Sequence, residues 1–166
     1  LLPATKNFTA LSAGATHSCA IDTQSELLCW GDNSHAQSSP PSGSFAFLSA
    51  GESHSCAIDV EQSIHCWGDN SSGQALAPSG SYLAISSGAS HSCAIKEDQS
   101  IHCWGENSSG QTLAPIGSFL AVSSGANHSC AIDSHQNLHC WGDNANQQSS
   151  PPSGSFVSLS CGLHHN

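Results

Sequence analysis

Nine cysteines and eleven histidines are the residues with the most chemistry to offer in this chain. Eight of the cysteines form four pairs of one spacing, Cys19/Cys29, Cys56/Cys66, Cys93/Cys103 and Cys130/Cys140, each ten residues apart. A histidine stands two places before each first cysteine, at His17, His54, His91 and His128. Such a set is able to bind zinc, to carry free thiols, or to form disulfides. Zinc sites ordinarily use cysteines separated by only about two to four residues. Adjacent strand residues also point to opposite faces, so His65 and Cys66 are poorly placed to share a metal. A polar turn centred near Gln24 lies between Cys19 and Cys29. Across a hairpin the pair would face each other at about 4.5–5.5 Å between Cα atoms, within the range a disulfide tolerates. Disulfides are therefore expected at all four pairs, with zinc and free thiols as the rival readings. Cys161 has no partner of this spacing. It occupies the slot of Ala13, Ala50, Ser87 and Ser124, and would close a ring, cross-link a second chain, pair outside this segment, or stay a buried thiol.

The other candidates recur as evenly. Trp30, Trp67, Trp104 and Trp141 are each followed by Gly, then by Asp32, Asp69, Glu106 or Asp143. An acidic ring is able to attract calcium, but short acidic side chains also cap turns, which is the favoured role here. A catalytic centre needs one asymmetric set of groups. Residues present in every repeat are there for the geometry of the repeat, so the histidines are expected to hydrogen-bond backbone at the adjacent Gly turn, and the tryptophans to pack between units. No unique Ser/His/Asp set or carboxylate pair stands out, so neither an enzyme nor a resident cofactor or metal is expected. Asn-x-Ser/Thr occurs at Asn7, Asn70, Asn107 and Asn127, acceptors for N-linked glycans in a secreted eukaryotic protein. Asn70 and Asn107 share one turn in successive repeats. Asn33 and Asn144 hold that turn without the hydroxyl residue two places on.

These residues are positioned by a strict 37-residue repeat, starting at Phe8, Phe45, Tyr82 and Phe119. The repeats are 8–44, 45–81, 82–118 and 119–155, with a partial repeat 156–166, read as a single repeat domain over 1–166. Leu1 to Asn7 resemble the tail of a preceding repeat. Both ends cut through a unit, so the chain is read as part of a longer one or as closing on itself or on a neighbour. Within 45–81, Phe45 to Ser49, His54 to Asp59 and Ile64 to Gly68 alternate as strands, punctuated by polar turns. A fourth strand is expected around Gln74 to Leu76. No stretch has helical periodicity. Three or four short strands cannot bury a core alone, whereas stacking of units can. Antiparallel hairpins favour a radial propeller over a linear solenoid.

The segments Gly51 to Gln74 and Gly88 to Gln111 read Gly-x-x-His-Ser-Cys-Ala-Ile, a turn, then Cys-Trp-Gly-(Asp/Glu)-Asn-x-x-Gly-Gln. This pattern resembles the regulator-of-chromosome-condensation repeat, over essentially the whole chain. The resemblance implies an all-β propeller of that type, with three- to four-stranded blades of 37 residues, and full rings of seven blades in typical members. Repeats this short resemble the compact form in bacterial propellers that inhibit β-lactamase. The pattern departs at the hairpin turn, where Ser25, Ser63, Ser100 and Asn137 replace Gly. It departs again before Gln, where Ala36 and Asn146 replace Gly.

The formal charge is −10 and charged residues are 8% of the chain. That charge repels phosphates, so neither nucleic acid nor an anionic membrane surface is an expected partner. No long apolar run offers membrane insertion. Dense cysteine fits an oxidising compartment. The expected function is a structural or adhesive module of a secreted or cell-surface glycoprotein, partnered by itself, other extracellular glycoproteins and covalent glycans, and assembling into a filament or wall. The alternative is a secreted lectin or protein inhibitor working through its loop face. Its few variable positions are Thr16, Glu52, Ala126, His135 and the turn after Trp-Gly.

Overall fold

A computed structural model describes residues 6–162 and 165. Twelve strands follow in sequence: β1 (Phe8–Ala13), β2 (His17–Asp22), β3 (Leu27–Gly31), β4 (Phe45–Ala50), β5 (His54–Asp59), β6 (Ile64–Gly68), β7 (Tyr82–Ser87), β8 (His91–Lys96), β9 (Ile101–Gly105), β10 (Phe119–Ser124), β11 (His128–Asp133) and β12 (Leu138–Gly142). They form four separate three-stranded antiparallel sheets, β1-β2-β3 and its three repeats. Among the described residues there is no helix, hence none long and apolar enough to cross a membrane. The tail expected over Leu1 to Asn7 lies mostly outside the described residues.

Each blade has three strands. The fourth, expected around Gln74 to Leu76, is a turn. The cause is local: Gln74 folds back to donate to Asp69 and to accept from Ser72 N–H, which holds the backbone in a bend. The first strand of every blade carries a bulge, between Phe45 and Phe47 in the second. The extra residue breaks the ladder there, and Phe45 N–H instead binds Ser25 O in the preceding blade.

The hairpin turn after each second strand needs a left-handed residue. It is Ser25, Gln62, Gln99 and Gln136, at φ 65–68°. In three blades this is one place before the residue the sequence pattern suggests. Ser25 aligns with Gln62, so Ser63, Ser100 and Asn137 sit one place later. The same holds in the loop after Trp-Gly, where the left-handed position is Ala36, Gly73, Gly110 and Gln147, not Asn146. The buried Gln that follows pins this turn, so a non-Gly residue is tolerated in two blades.

The hydrophobic core lies between blades. Cys19 and Ile21 of the first blade pack with Phe45, Ala57 and Trp67 of the second. Cys56, Ile58 and Ile64 pack with Tyr82 and Ala94 of the third, and Ile95 packs with Phe119 and Ala131 of the fourth. Phe45, Tyr82 and Phe119 are 2%, 0% and 2% exposed. Phe8, their equivalent in the first blade, is 37% exposed because no described sheet precedes it. At the inner rim the blades approach so closely that a Cβ on Gly51 would lie 2.4 Å from Gly88 O in the next blade. This explains the recurrence of Gly at that place.

The four cysteine pairs are disulfides, Cys19–Cys29, Cys56–Cys66, Cys93–Cys103 and Cys130–Cys140. Each joins directly opposed residues of the second and third strands, 4.0–4.1 Å apart at Cα. Closing a loop of ten residues removes unfolded-state entropy worth about 2–3 kcal/mol. The double variant Cys56→Ser/Cys66→Ser should therefore lose about that much stability, read as a lower urea midpoint at an unchanged fold by circular dichroism.

Candidate functional site

The residues that looked catalytic converge at the seams between blades. His17 Nε2 lies 2.7 Å from Ser55 Oγ of the next blade, and His54 and His91 lie 2.8 Å from Ser92 and Ser129. This corrects the expectation that these rings bond backbone at the Gly turn. The turn is closed by main chain alone, Gly51 N–H donating to His54 O, which leaves the ring free to span the seam. Ser129 donates its hydroxyl to Gln111 O at 3.3 Å, so His91 Nε2–H is the donor across that seam. The seam histidines and serines are buried, and each serine also lies against a disulfide sulfur, Ser55 Oγ at 3.7 Å from Cys19 Sγ.

The tryptophans do join blades, and by their polar edge. Trp67, Trp104 and Trp141 donate to the carbonyls of Gln37, Gln74 and Gln111 in the preceding blade, at 2.8–2.9 Å. Sequence reading missed these glutamines as seam residues. Their signal was recurrence: an uncharged polar residue at one place in all four repeats. Their side chains bind the acidic residues. Gln37, Gln74 and Gln148 donate to Asp32, Asp69 and Asp143 at 2.7–2.8 Å. The three aspartates also accept N–H groups two residues on, from Ser34, Ser71 and Ala145. They therefore serve the turn. For Asp32 the hydrogen bonds from Ser34 hold the carboxyl below its usual range. In the third blade Glu106 is one methylene longer. It reaches Ser108 Oγ but not Gln111, whose fully buried Nε2 has no partner among the described residues.

At the inner rim, serines link the first strands of neighbouring blades. Ser12, Ser49, Ser86 and Ser123 Oγ accept the N–H of Ala50, Ser87, Ser124 and Cys161, each at 2.9 Å. The rim borders an open hollow of about 480 Å³ lined by Ala, Gly and Ser, with Glu52 and Cys161. Among the described residues, Glu52 is the only charged one lining it. Thr16 lies outside this hollow, and so does His135 on an outer turn. Cys161 carries a free thiol, raised in pKa by burial. Among the described residues, His128, Cys130 and Cys161 are the one group with metal-ligand spacing, and Cys130 is already in a disulfide. Of the sequon asparagines, Asn7, Asn70 and Asn107 are exposed and Asn127 is half-buried.

Radial sheets, cores at their seams and a hollow at the inner rim define a β-propeller. The regulator of chromosome condensation (RCC1) repeat matches four times, at 8–37, 45–74, 83–111 and 119–148. The chain belongs to that family. No curated protein sequence matches it. Among solved structures it is similar to the CRINKLY WD40 ectodomain of the Arabidopsis thaliana receptor kinase ACR4, at 32% identity and TM-score 0.74, covering 82% of this chain and 51% of that one. It is similar also to the ectodomain of the Physcomitrella patens receptor kinase CR4, at 28% identity and TM-score 0.83, covering 97% and 48%. Saccharomyces cerevisiae Prp20p, at 15% identity and TM-score 0.82, covering 96% and 55%, shares the fold. The chain thus spans about half the length of these structures.

Two predictions test the seam. Burial holds the His54 and His91 imidazoles at about 4, below their ordinary value. The unfolded chain then binds protons that the folded chain refuses, so stability should be full above pH about 6.5 and fall as pH drops toward 4. Urea midpoints across that window should slope less in His54→Gln; an equal slope would contradict the assignment. Second, Glu106→Asp restores the partner of Gln111 Nε2 and should raise stability by about 1 kcal/mol, measured by urea denaturation.

Proposed function

We propose that this chain is part of a non-catalytic extracellular propeller, a structural or adhesive module that works by presenting surface to other macromolecules. The observation that carries this reading is the one disulfide in every blade, at one register position. Such density suits an oxidising compartment. The likeness to two plant receptor-kinase ectodomains supports it. The absorption of the repeated His, Trp and Asp residues into seams and turns supports a role without catalysis. A charge of −10 disfavours nucleic acid as a partner.

The finer reading is assembly with its own kind or with other extracellular glycoproteins, into a filament or wall. The near-identity of the four repeats and their low charge support it. A second reading, binding through the hollow and its loops, is favoured by the one unrepeated charge there, Glu52.

Protein recovered from the medium of secreting cells should titrate as one free thiol per chain under denaturing, non-reducing conditions, and nine after reduction. Nine thiols without reduction would overturn the extracellular reading. Sedimentation over a concentration series separates the two finer readings: concentration-dependent assembly supports the first, and a monomer throughout supports the second.

A further inference from the structure

The loop after Trp-Gly exists in two versions. In all four blades an exposed asparagine, Asn33, Asn70, Asn107 or Asn144, uses its Oδ1 to accept a backbone N–H five residues on, at Ser38, Ala75, Thr112 or Ser149, at 2.9–3.1 Å. The difference lies at Nδ2. In the first and fourth blades Nδ2 donates to the hydroxyl six residues on, Asn33 to Ser39 and Asn144 to Ser150, both at 3.0 Å. In the second and third blades that place is Leu76 or Leu113, exposed by 66% and 68%, and Nδ2 of Asn70 and Asn107 has no hydrogen-bond partner among the described residues.

The residue two places on differs in step. It is His35 or Asn146 where Nδ2 is tied, and exposed Ser72 or Ser109 where Nδ2 is free. Three features therefore change together in the same two blades: a hydroxyl for the acceptor motif, a released amide nitrogen, and an exposed apolar side chain where the tying serine stood.

We propose that Asn70 and Asn107 each carry an N-linked oligosaccharide whose first sugar rests on Leu76 or Leu113. The donor is a lipid-diphosphate-linked oligosaccharide. Nδ2 forms a bond to the anomeric carbon, the anomeric C–O bond breaks, and the lipid diphosphate leaves with its electron pair. Nδ2 loses one proton to the transferase. The product keeps Oδ1 as an acceptor, so the bond from Ala75 or Thr112 N–H survives and the turn is unchanged. The apolar face of a pyranose then covers leucine surface otherwise open to water. Asn127 is not assigned a glycan. It is half-buried between buried Ala126 and His128, and its hydroxyl residue Ser129 is engaged with His91 and Gln111.

This inference rests on passage of the chain through a secretory pathway. The chain is secreted from a eukaryotic host, its thiols are counted, and it is treated with peptide N-glycosidase in heavy-oxygen water before peptide mass analysis. Asn70 and Asn107 should appear as labelled aspartates, and Asn33, Asn144 and Asn127 as unlabelled asparagines. Asn70→Gln and Asn107→Gln should each remove one glycoform step on a gel. Enzymatic deglycosylation of the folded protein should increase binding of a hydrophobic dye, and Leu76→Ser/Leu113→Ser should abolish that increase. Secreted, fully disulfide-bonded protein with unmodified Asn70 and Asn107 would overturn the glycan proposal and leave the extracellular reading standing. A chain retained in the cell with reduced thiols would overturn both. Glycans at both sites with no dye response would overturn the leucine seat.

Discussion

A three-stranded blade of this size cannot keep itself dry, and everything repeated in the chain answers that constraint. Each sheet packs its Ile against the aromatic residue and Ala of the next blade, so the middle sheets are buried on both faces. Packing alone would let flat sheets slide. The buried polar contacts, His to Ser, Trp to Gln carbonyl and Ser to rim N–H, fix where one sheet sits on the next. A buried polar group left unpaired is costly, so the seam tolerates one register. The disulfide works within the blade: it clamps the second and third strands so that seam residues on both arrive together.

That division of labour bears on function. Histidines, acids and cysteines in this density invite a catalytic reading. Here the histidine ring is shut inside a seam, the acid is bound to a glutamine, and the thiols of each pair are oxidised. What remains variable lies on the surface: Glu52 at the hollow and the loops after Trp-Gly. These are places where a second macromolecule or a glycan would sit.

Much of this was legible in the sequence. The strict spacing from Phe8 to Phe119 gave away the repeat, and opposed Cys19 and Cys29 follow from strand alternation around a centred turn. The partner of His54 was not legible, because nothing local says that Ser92, in the next repeat, lies across the seam. Gln74 looked like part of a strand because strand and tight turn share its composition. Its side chain bends the backbone by reaching Asp69, a contact that periodicity does not record. Off-register reading of Ser63 and Asn146 came from matching residue types where φ decides: the left-handed places are Gln62 and Gln147.

Polar contacts join consecutive blades and are energetically coupled across the seam. A double-mutant cycle on His54→Ala and Ser92→Ala, by urea denaturation at neutral pH, measures that coupling. The two substitutions should cost less together than the sum of each alone, with a coupling of about 1 kcal/mol or more. Additive costs would contradict the account, leaving the blades joined by apolar packing alone.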